Sequence, residues 1–345
     1  MPPSTSPPAP EQPAASALFV LGDSLSDVGN AGALADYLLS RRIVPPTVGL
    51  CNPADVLILP RPCDDLFYRQ SRVSDGPVAV EYLGAHVGVP ELVASLHVVP
   101  SRPEGGTNYA VAGAKARGPE LIDLDRQVDM LLLEHAPLAG DALYVVMIGG
   151  NDAIDALQAA TAGGTAAAAS ATIVSSAVAA IGENVARLLD LGARQVIVAN
   201  VPDLAALPAV RNRARGAQNE ATVLAAAKSI TESFDRELDA LLDDLEANGR
   251  WTSPTPLQLT RFDLRAALRE AEQAIEARGG NVLAACFDSD AYRDSVNAER
   301  RFDSDCGPAA GTAPRFADFA YWDGIHPTGA AHAAIGAALI EALLD

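Results

Sequence analysis

The sequence ALFVLGDSLSDVGN, residues 17–30, decides the fold of this chain. It begins with an apolar run of five residues, which is long enough for one buried strand. The run breaks at a Gly-Asp-Ser turn that ends in Ser24, and a predicted helix follows, with Ser26 or Asp27 available as its N-cap. In open α/β sheets, ligands bind at the carboxyl ends of the strands, and the N–H groups of a following helix can stabilise an anion there. The stretch therefore predicts either a site at Ser24 or an ordinary strand-to-helix turn.

Strands and helices alternate along the rest of the chain. Further apolar runs of strand length occupy residues 142–148, 194–200, 257–263 and 282–287. Helical periodicity is found at residues 31–39, 78–83, 121–133, 170–191, 214–246, 264–277 and 327–345. This alternation is typical of an α/β protein with a mainly parallel sheet. We predict one domain over residues 17–345, preceded by a disordered lead-in at residues 1–16 that is rich in Pro, Ser and Ala.

Two segments lack a regular pattern. Residues 41–76 contain many prolines and two cysteines and predict a long, irregular excursion. Residues 161–171 form a low-complexity segment that we expect to be mobile. Long loops in compact domains are commonly functional. We therefore expect substrate specificity to depend on residues 41–76 and 152–168.

The charge balance excludes several classes of partner. The chain carries 44 acidic and 25 basic residues, which gives a formal net charge of −19 at pH 7. Nucleic acids and anionic membrane surfaces reward positive charge, so neither is an expected partner. No apolar run is long enough to suggest a transmembrane helix. The expected partner is a small molecule, and a monomer is favoured.

The four cysteines form two local pairs, Cys51 with Cys63 and Cys286 with Cys306. Neither pair has the C-x-x-C spacing of a zinc site or a redox motif. Two small disulfide-closed loops fit this pattern and predict an oxidising compartment, whereas four free thiols of a cytosolic enzyme are the alternative. The N-terminus lacks the basic and apolar regions of an intact signal peptide. If the protein is secreted or periplasmic, we expect its native signal to have been removed and Met1 added.

One histidine is suited to act as a base toward Ser24. His326 lies three residues after Asp323 in a turn bounded by Gly and Pro, so one local turn can hold the carboxylate against the ring. The carboxylate would then set the tautomer of the imidazole and leave the other ring nitrogen for the serine hydroxyl. His332 lies inside the predicted final helix, where a structural role is expected. The remaining histidines lack such a turn and are expected to be solvated or packed; these are His86, His97 and His135.

The sequence departs from the G-x-S-x-G nucleophile elbow of α/β-hydrolases, because Ser26 stands where the last glycine belongs. Four other blocks occur in order: GDSLSDVGN at residues 22–30, TNYAVAGAK at 107–115, GGND at 149–152 and DGIHPT at 323–328. Together they resemble the GDSL family of the SGNH-hydrolase superfamily over nearly the whole chain. The form of the first block and the tail AYWDGIHPTGAAH are similar to the bacterial secreted lipase/esterase branch, which includes the esterase portions of autotransporters.

This resemblance implies a single flavodoxin-like α/β/α sandwich and a serine hydrolase that uses no cofactor and no metal. It implies that Ser24, His326 and Asp323 form a catalytic triad. It also implies that the backbone N–H groups of Ser24 and Gly113 and the side-chain amide of Asn151 hold the oxyanion.

Each of these residues, taken alone, also fits an ordinary structural role. Gly113 fits a turn glycine, and Asp323 fits a solvated loop charge. Asn151 fits a cap of the helix that follows it, and Asp152 fits that cap better. Because all four blocks would have to be coincidental, we take the combined pattern as functional.

The expected function is hydrolysis of carboxylic esters by a secreted serine esterase or lipase. The expected substrate is a small-molecule, lipid or glycan ester. A carbohydrate O-acetyl esterase is the first alternative, followed by a thioesterase or a phospholipase. A non-catalytic lipid- or glycan-binding module on the same fold is the alternative from another class, and the intact Ser24, Asp323 and His326 argue against it.

Overall fold

A four-stranded parallel sheet forms the centre of the computed structural model, which describes residues 15–41, 72–100, 105–162, 166–217, 219–251, 255–287, 305–307 and 315–344. Its strands, paired in this order, are β1 (Leu18–Gly22), β2 (Leu143–Met147), β3 (Gln195–Ala199) and β4 (Gln258–Phe262). All residues of β1 and β2 are buried. Parallel strands that are covered on both faces have continuous apolar sequences, which is why these two were predicted from the sequence.

A fifth parallel segment lies on the other edge of β1. The Val20 N–H donates to the Thr107 carbonyl over 3.0 Å, and the Tyr109 N–H donates to the Val20 carbonyl over 2.7 Å. This segment falls between β1 and β2 in the sequence but on the far side of β1 in space, so the strand order reverses at β1. That order is flavodoxin-like, and ligands of such sheets bind at the carboxyl end of the strands where the order reverses. In this chain that point is the end of β1.

The described residues contain helices in two packed groups. Their bounds are α1 (Asn30–Ser40), α2 (Ala79–His86), α3 (Leu124–His135), α4 (Gly150–Ala162), α5 (Ala166–Asp190), α6 (Pro208–Arg215), α7 (Glu220–Ala247), α8 (Leu264–Ala277) and α9 (Gly329–Leu344). In one group α5 contacts α3, α4 and α7, and α7 also contacts α4 and α6; in the other group α9 contacts α2 and α8. Two helical layers and a parallel sheet make an α/β/α sandwich, so the predicted fold class is confirmed.

A second, two-stranded parallel sheet lies near the C-terminal end of the chain. It pairs β5 (Asn281–Ala285) with β6 (Phe319–Tyr321), and a short 3-10 helix (Phe316–Asp318) leads directly into β6. The sequence predicts β5 but not β6, because three residues are too few to show a strand period. This small sheet ends just before the DGIHPT block and therefore sets the position from which that block begins.

One of the two predicted disulfides is present in the described residues. Cys286 follows β5 and is bonded to Cys306. The Cys286 N–H also donates to the Tyr321 carbonyl over 2.9 Å, so the disulfide is anchored to the small sheet. The other predicted pair, Cys51 and Cys63, lies outside the described residues.

Two further parts of the structure differ from the sequence prediction. Residues 166–171 form the beginning of α5, although their low complexity predicted a mobile segment. These residues are mostly alanine, the residue with the highest helix propensity, and that preference explains the difference. The single helix predicted over residues 214–246 is two helices, because α6 ends before Gly216 and α7 begins anew after it.

Helix α5 is long and apolar enough to cross a membrane by length and composition, contrary to the expectation from the sequence. Half of its most apolar window is buried inside the protein, where the helix packs against α3, α4 and α7. Core helices of globular proteins meet the same criteria, so a single helix of this kind is weak evidence for a membrane span. No other helix in the described part of the chain meets them.

Candidate active site

Ser24 lies two residues beyond the end of β1, where the strand order reverses. The side-chain amide of Gln127 fixes this strand end, since it donates to the Gly22 carbonyl and accepts the Gly22 N–H, each over 2.8 Å. The Asp23 N–H donates to the carbonyl of Met147, at the end of β2, over 3.3 Å. The backbone of the Gly-Asp-Ser turn is thus held from two sides, and Ser24 is buried with 7% of its surface exposed.

The structure brings Ser24, His326 and Asp323 into one hydrogen-bonded chain, although the serine and the histidine are 302 residues apart in sequence. His326 Nε2 lies 2.7 Å from Ser24 Oγ, and His326 Nδ1 lies 2.9 and 2.8 Å from the two carboxylate oxygens of Asp323. A proton on Nδ1 satisfies the carboxylate, so the network assigns the tautomer whose Nε2 accepts the serine hydroxyl. In this arrangement a histidine can remove the proton of a serine.

The turn from Asp323 to His326 holds its own carboxylate in place. Asp323 Oδ1 accepts the N–H groups of Ile325 and His326 over 2.8 and 2.7 Å, which is the local bonding expected of an aspartate in a tight turn. The Trp322 N–H donates to the His326 carbonyl over 2.8 Å and closes the turn. The three-residue spacing read from the sequence therefore has a local structural cause.

A segment that the sequence analysis placed in the irregular excursion supports this turn from outside. Ser74 Oγ donates to the Pro327 carbonyl over 3.0 Å, and Asp75 accepts the Gly329 N–H over 2.8 Å at the start of α9. Gly76 packs so closely that a Cβ on it would lie 2.8 Å from the Cα of Gly329. These partners are more than 250 residues apart in sequence. No local pattern could have revealed them.

The backbone segment that contains Gly113 passes close to the end of β1 and to α4. The Val111 N–H donates to the carbonyl at the end of β1 over 3.1 Å, and Asn151 Nδ2 donates to the Ala114 carbonyl over 2.8 Å. Gly113 lies between these contacts with a φ of +87°, a conformation that glycine adopts without strain. Within the described residues, neither the N–H of Gly113 nor that of Ser24 has an acceptor.

These groups form a set of available hydrogen-bond donors. Backbone N–H groups in folded proteins are nearly always paired, so two unpaired ones near a serine are a notable feature. The Asn151 amide carries two hydrogens, and its bond to the Ala114 carbonyl uses one of them. The three donors predicted from the sequence are therefore free to bind a new acceptor.

Two buried asparagines that the sequence analysis did not single out join the first block to the second. Asn30 Nδ2 donates to the carbonyls of Asn108 and Ala110, each over 2.8 Å. Asn108 Nδ2 in turn donates to the Ser26 carbonyl over 2.7 Å. Their partners are about 80 residues away, so periodicity carries no sign of these bonds. The one available signal is that both asparagines lie inside the quoted blocks.

Asp23 is a second buried carboxyl group beside the site, and it lines the pocket next to Ser24. The pKa of Asp23 is raised from 3.8 to about 6, mainly by burial and to a smaller extent by the nearby Asp152, against the opposing effects of the Leu25 N–H bond and His326. The charge on Asp23 therefore changes in the weakly acidic range.

His332, for which the sequence predicts a structural role, is buried within α9. Its Nδ1 accepts the Ala79 N–H over 3.3 Å, which links α9 to the start of α2. The pKa of His332 is lowered to about 3, mainly by burial and to a smaller extent by the nearby His326. The imidazole is therefore neutral at physiological pH and packs two helices together.

A small, largely apolar pocket with a volume of about 30 Å³ opens beside Ser24. Asp23, Ser24 and Asn151 form its polar wall. Its apolar lining comes from the residue after Ser24, α4, the segment after β3, α8 and the His326 turn: Leu25, Ile154, Pro202, Leu204, Leu207, Leu264, Leu268, Ile325 and Pro327. Such a lining suits an apolar group of a ligand. Among the residues that the structure describes, no cluster of three His, Cys, Asp or Glu side chains is placed to hold a metal ion.

The fold and the site place the chain among α/β/α proteins that present a serine at the end of their first strand. Residues 18–339 match the sequence model of the GDSL-like lipase/acylhydrolase family, and the chain belongs to this family. A GDSL esterase/lipase of Arabidopsis thaliana is 26% identical over 351 residues, which cover 94% of this chain and 86% of the plant protein. The predicted family is thereby confirmed, and it supports a hydrolase that acts on esters. Membership of the bacterial secreted branch stays a prediction.

Proposed function

We propose that the protein is a serine esterase in which Ser24 is the nucleophile, His326 the general base and Asp323 the partner that orients the imidazole. The observation that carries this proposal is the distance of 2.7 Å between His326 Nε2 and Ser24 Oγ. The other ring nitrogen lies 2.8 Å from the Asp323 carboxylate, so the base is both oriented and stabilised as a cation. Nucleophile, base and orienting group are the set that acyl transfer requires.

The reaction proceeds in two halves. Ser24 Oγ attacks the ester carbonyl carbon while its proton passes to His326 Nε2, and the carbonyl oxygen becomes an oxyanion. Collapse of this intermediate breaks the bond to the alcohol oxygen, which takes the proton from the imidazolium and leaves. Water then attacks the acyl-enzyme with the same help from His326, which releases the carboxylic acid and restores the serine.

The oxyanion needs donors that are in place before it forms. The unpaired N–H groups of Ser24 and Gly113 and the second amide hydrogen of Asn151 supply them in this proposal. Preorganised donors act only on the charge that develops in the transition state, and removal of one costs on the order of 100- to 1000-fold in rate. We therefore assign the three groups to the oxyanion hole.

The pocket supports an apolar acyl group rather than a sugar as the bound part of the substrate. Nine of the side chains around it are aliphatic or proline. Sugar hydroxyls need hydrogen-bond partners, and the polar groups of this pocket are confined to the wall that carries Ser24 and Asn151. Carboxylic esters with an apolar acyl chain are therefore the proposed substrate class. The Cys286–Cys306 disulfide supports a secreted or periplasmic location, where such bonds persist.

Replacement of Ser24 tests this function against a matched control in the same block. Ser24→Ala is expected to lower the kcat for p-nitrophenyl butyrate by more than ~1000-fold, because no nucleophile is left. Ser26→Ala is the control, since Ser26 Oγ is buried without a hydrogen-bond partner and does not line the pocket. Turnover by Ser24→Ala at the rate of an active Ser26→Ala would refute Ser24 as the nucleophile, whereas a wild-type protein without turnover would favour a binding module.

A panel of substrates tests the acyl preference. The wild-type protein is expected to hydrolyse p-nitrophenyl butyrate and octanoate faster than it releases acetate from acetylated xylan, because the pocket wall buries methylene groups. Preferential release of acetate from xylan would instead identify a carbohydrate O-acetyl esterase.

A further inference from the structure

Two buried carboxylates bind the backbone on either side of Gly113. Residues 112–117, the oxyanion loop, form neither helix nor strand. Asp27 Oδ2 accepts the N–H of the first residue of this loop over 2.9 Å. Asp152 accepts the N–H groups of its last two residues over 2.8 and 3.4 Å. The loop is therefore anchored at both ends, with Gly113 between the anchors.

These carboxylates have no exposed surface, which makes their position costly unless their hydrogen bonds are made. Burial raises the pKa of both Asp27 and Asp152, and the backbone N–H bonds oppose this effect by favouring the charged form. A cap of α4 was the ordinary role that the sequence offered for Asp152, and the hydrogen bonds of its side chain differ from that role. Its oxygens bind the backbone of the oxyanion loop, whereas Asp263 shows the ordinary pattern by accepting the Ala266 N–H of its own helix.

The two anchors belong to the elements that carry the other oxyanion donors. Asp27 follows Ser24 by three residues and also accepts the N–H groups of Gly29 and Asn30, each over 2.7 Å, at the start of α1. Asp152 directly follows Asn151 in the first turn of α4. Each anchor therefore ties the oxyanion loop to one of the elements with which Gly113 has to be aligned.

We infer that Asp27 and Asp152 are positioning residues that fix the Gly113 N–H relative to Ser24 and Asn151. This inference rests on the proposed esterase function and names the groups that assemble its oxyanion hole. Neither carboxylate takes part in the proton transfers. Each acts through the backbone of the oxyanion loop, so its loss is expected to affect the transition state more than the binding of the ester.

Asp155 offers a matched control one turn further along α4. It contacts the same loop through side chains rather than backbone, since it pairs with Lys115 over 2.7 Å and with Arg117 over 3.0 Å. All three side chains are 29 to 30% exposed. Ion pairs of partly exposed groups contribute little, so Asp155→Asn is expected to keep kcat within about twofold of wild type.

The Asp152→Asn variant tests the inference directly. Asparagine keeps the size of the side chain, but it offers one acceptor oxygen and places an amide donor against a backbone N–H. With p-nitrophenyl butyrate at a pH of about 8, kcat is expected to fall between ~10-fold and the ~1000-fold of a lost donor, with KM nearly unchanged. Phenylboronic acid forms a tetrahedral adduct on a reactive serine, and its affinity is expected to fall by the same factor as kcat/KM.

Two results with these variants would overturn the inference. One is an Asp152→Asn variant with the kcat and boronate affinity of Asp155→Asn. Another is a variant that loses thermal stability or raises KM while its boronate affinity is unchanged, because that pattern marks a merely structural role. Asp27→Asn is judged by the same criteria and carries the test should Asp152→Asn fail to fold. A wild-type protein without esterase activity would refute the proposed function, and the inference falls with it.

A measurement on the unmodified protein completes the test. The Gly113 amide is expected to exchange its hydrogen faster than the bonded amides of Ala112 and Ala116, and to become protected when phenylboronic acid is bound. A Gly113 amide that is protected to the same degree with and without the boronate also overturns the inference.

Discussion

At the level of the individual residue, two aspartates beside His326 have different roles because they have different hydrogen-bond partners. Asp323 accepts two backbone N–H groups of its own turn as well as the imidazole. Asp23 accepts the Leu25 N–H over 3.1 Å, and the loss of hydration outweighs that single bond. The same residue type is therefore the histidine partner in one place and a pH-sensitive pocket wall in the other.

Asp23→Asn is expected to flatten the dependence of stability on pH. The pKa of Asp23 is raised from 3.8 to about 6 by burial, so the folded protein holds this proton more tightly than the unfolded chain. That contribution to stability is complete below pH ~4 and is lost as the pH rises through ~6, by up to about 3 kcal/mol. The variant has no charge to bury there, although Asp152 still titrates nearby. Urea unfolding at pH 5 and pH 8 measures how much unfolding free energy the wild type and Asp23→Asn lose between these two pH values. Equal losses in the two proteins would contradict the prediction.

At the level of helices and strands, the sequence predicted those elements whose pattern is continuous or long. Strands β1 and β2 are unbroken apolar runs, and α8 was predicted with the bounds that the structure gives it, residues 264–277. Strand β6 and the division at Gly216 were missed, because three residues show no period and a helix break depends on tertiary packing.

In the candidate site, too, local contacts could be predicted from the sequence and long-range contacts could not. The turn that holds Asp323 and His326 is local, so its spacing predicted the hydrogen bonds that the structure contains. The contacts of Asn30 and Ser74 reach 78 and 253 residues along the chain. Contacts of that range follow from the packing of whole elements, and a single sequence holds no pattern that encodes them.

Helix α4 lines the pocket with Ile154, and a larger side chain there is expected to shorten the preferred acyl chain. Ile154 is half-buried, packs against the core and lines the pocket, so the larger side chain of Ile154→Trp is expected to take up pocket space. The ratio of kcat/KM for p-nitrophenyl octanoate to that for butyrate is expected to fall by about tenfold, the effect of displacing a few methylene groups. Gln158→Trp, on the exposed surface of the same helix, is the control. If both variants have the same ratio, the pocket does not bind the acyl chain.

For the whole molecule, the fold brings the first strand and the last turn before α9 together. Residues 24 and 326 meet at the carboxyl end of the sheet. Almost the entire chain therefore lies between the two halves of the site. The family match over residues 18–339 covers this whole span. The disulfide fastens the small second sheet, which precedes the His326 turn, and therefore acts on the stability of the C-terminal part of the fold.

Removal of the disulfide is expected to lower stability without abolishing activity. The bridge joins residues that are 20 positions apart, and closure of a loop of that size stabilises a fold by about 3 kcal/mol. The free energy of unfolding of Cys286→Ala/Cys306→Ala is expected to be lower by that amount. The variant should therefore unfold at a lower urea concentration. Its kcat is expected to stay close to wild type, because neither cysteine lines the pocket. An unchanged urea midpoint would show that the bridge does not stabilise the fold.

The nucleophilic role of Ser24 is open to one decisive measurement, covalent labelling with diisopropyl fluorophosphate followed by mass spectrometry of the digested protein. The hydrogen bond from Ser24 to His326 predicts a single phosphoryl adduct on Ser24. It also predicts little labelling in His326→Ala and none in Ser24→Ala, with Ser26→Ala labelled like wild type. An adduct on another residue, or one that persists in Ser24→Ala, would contradict the assignment of Ser24 as the nucleophile.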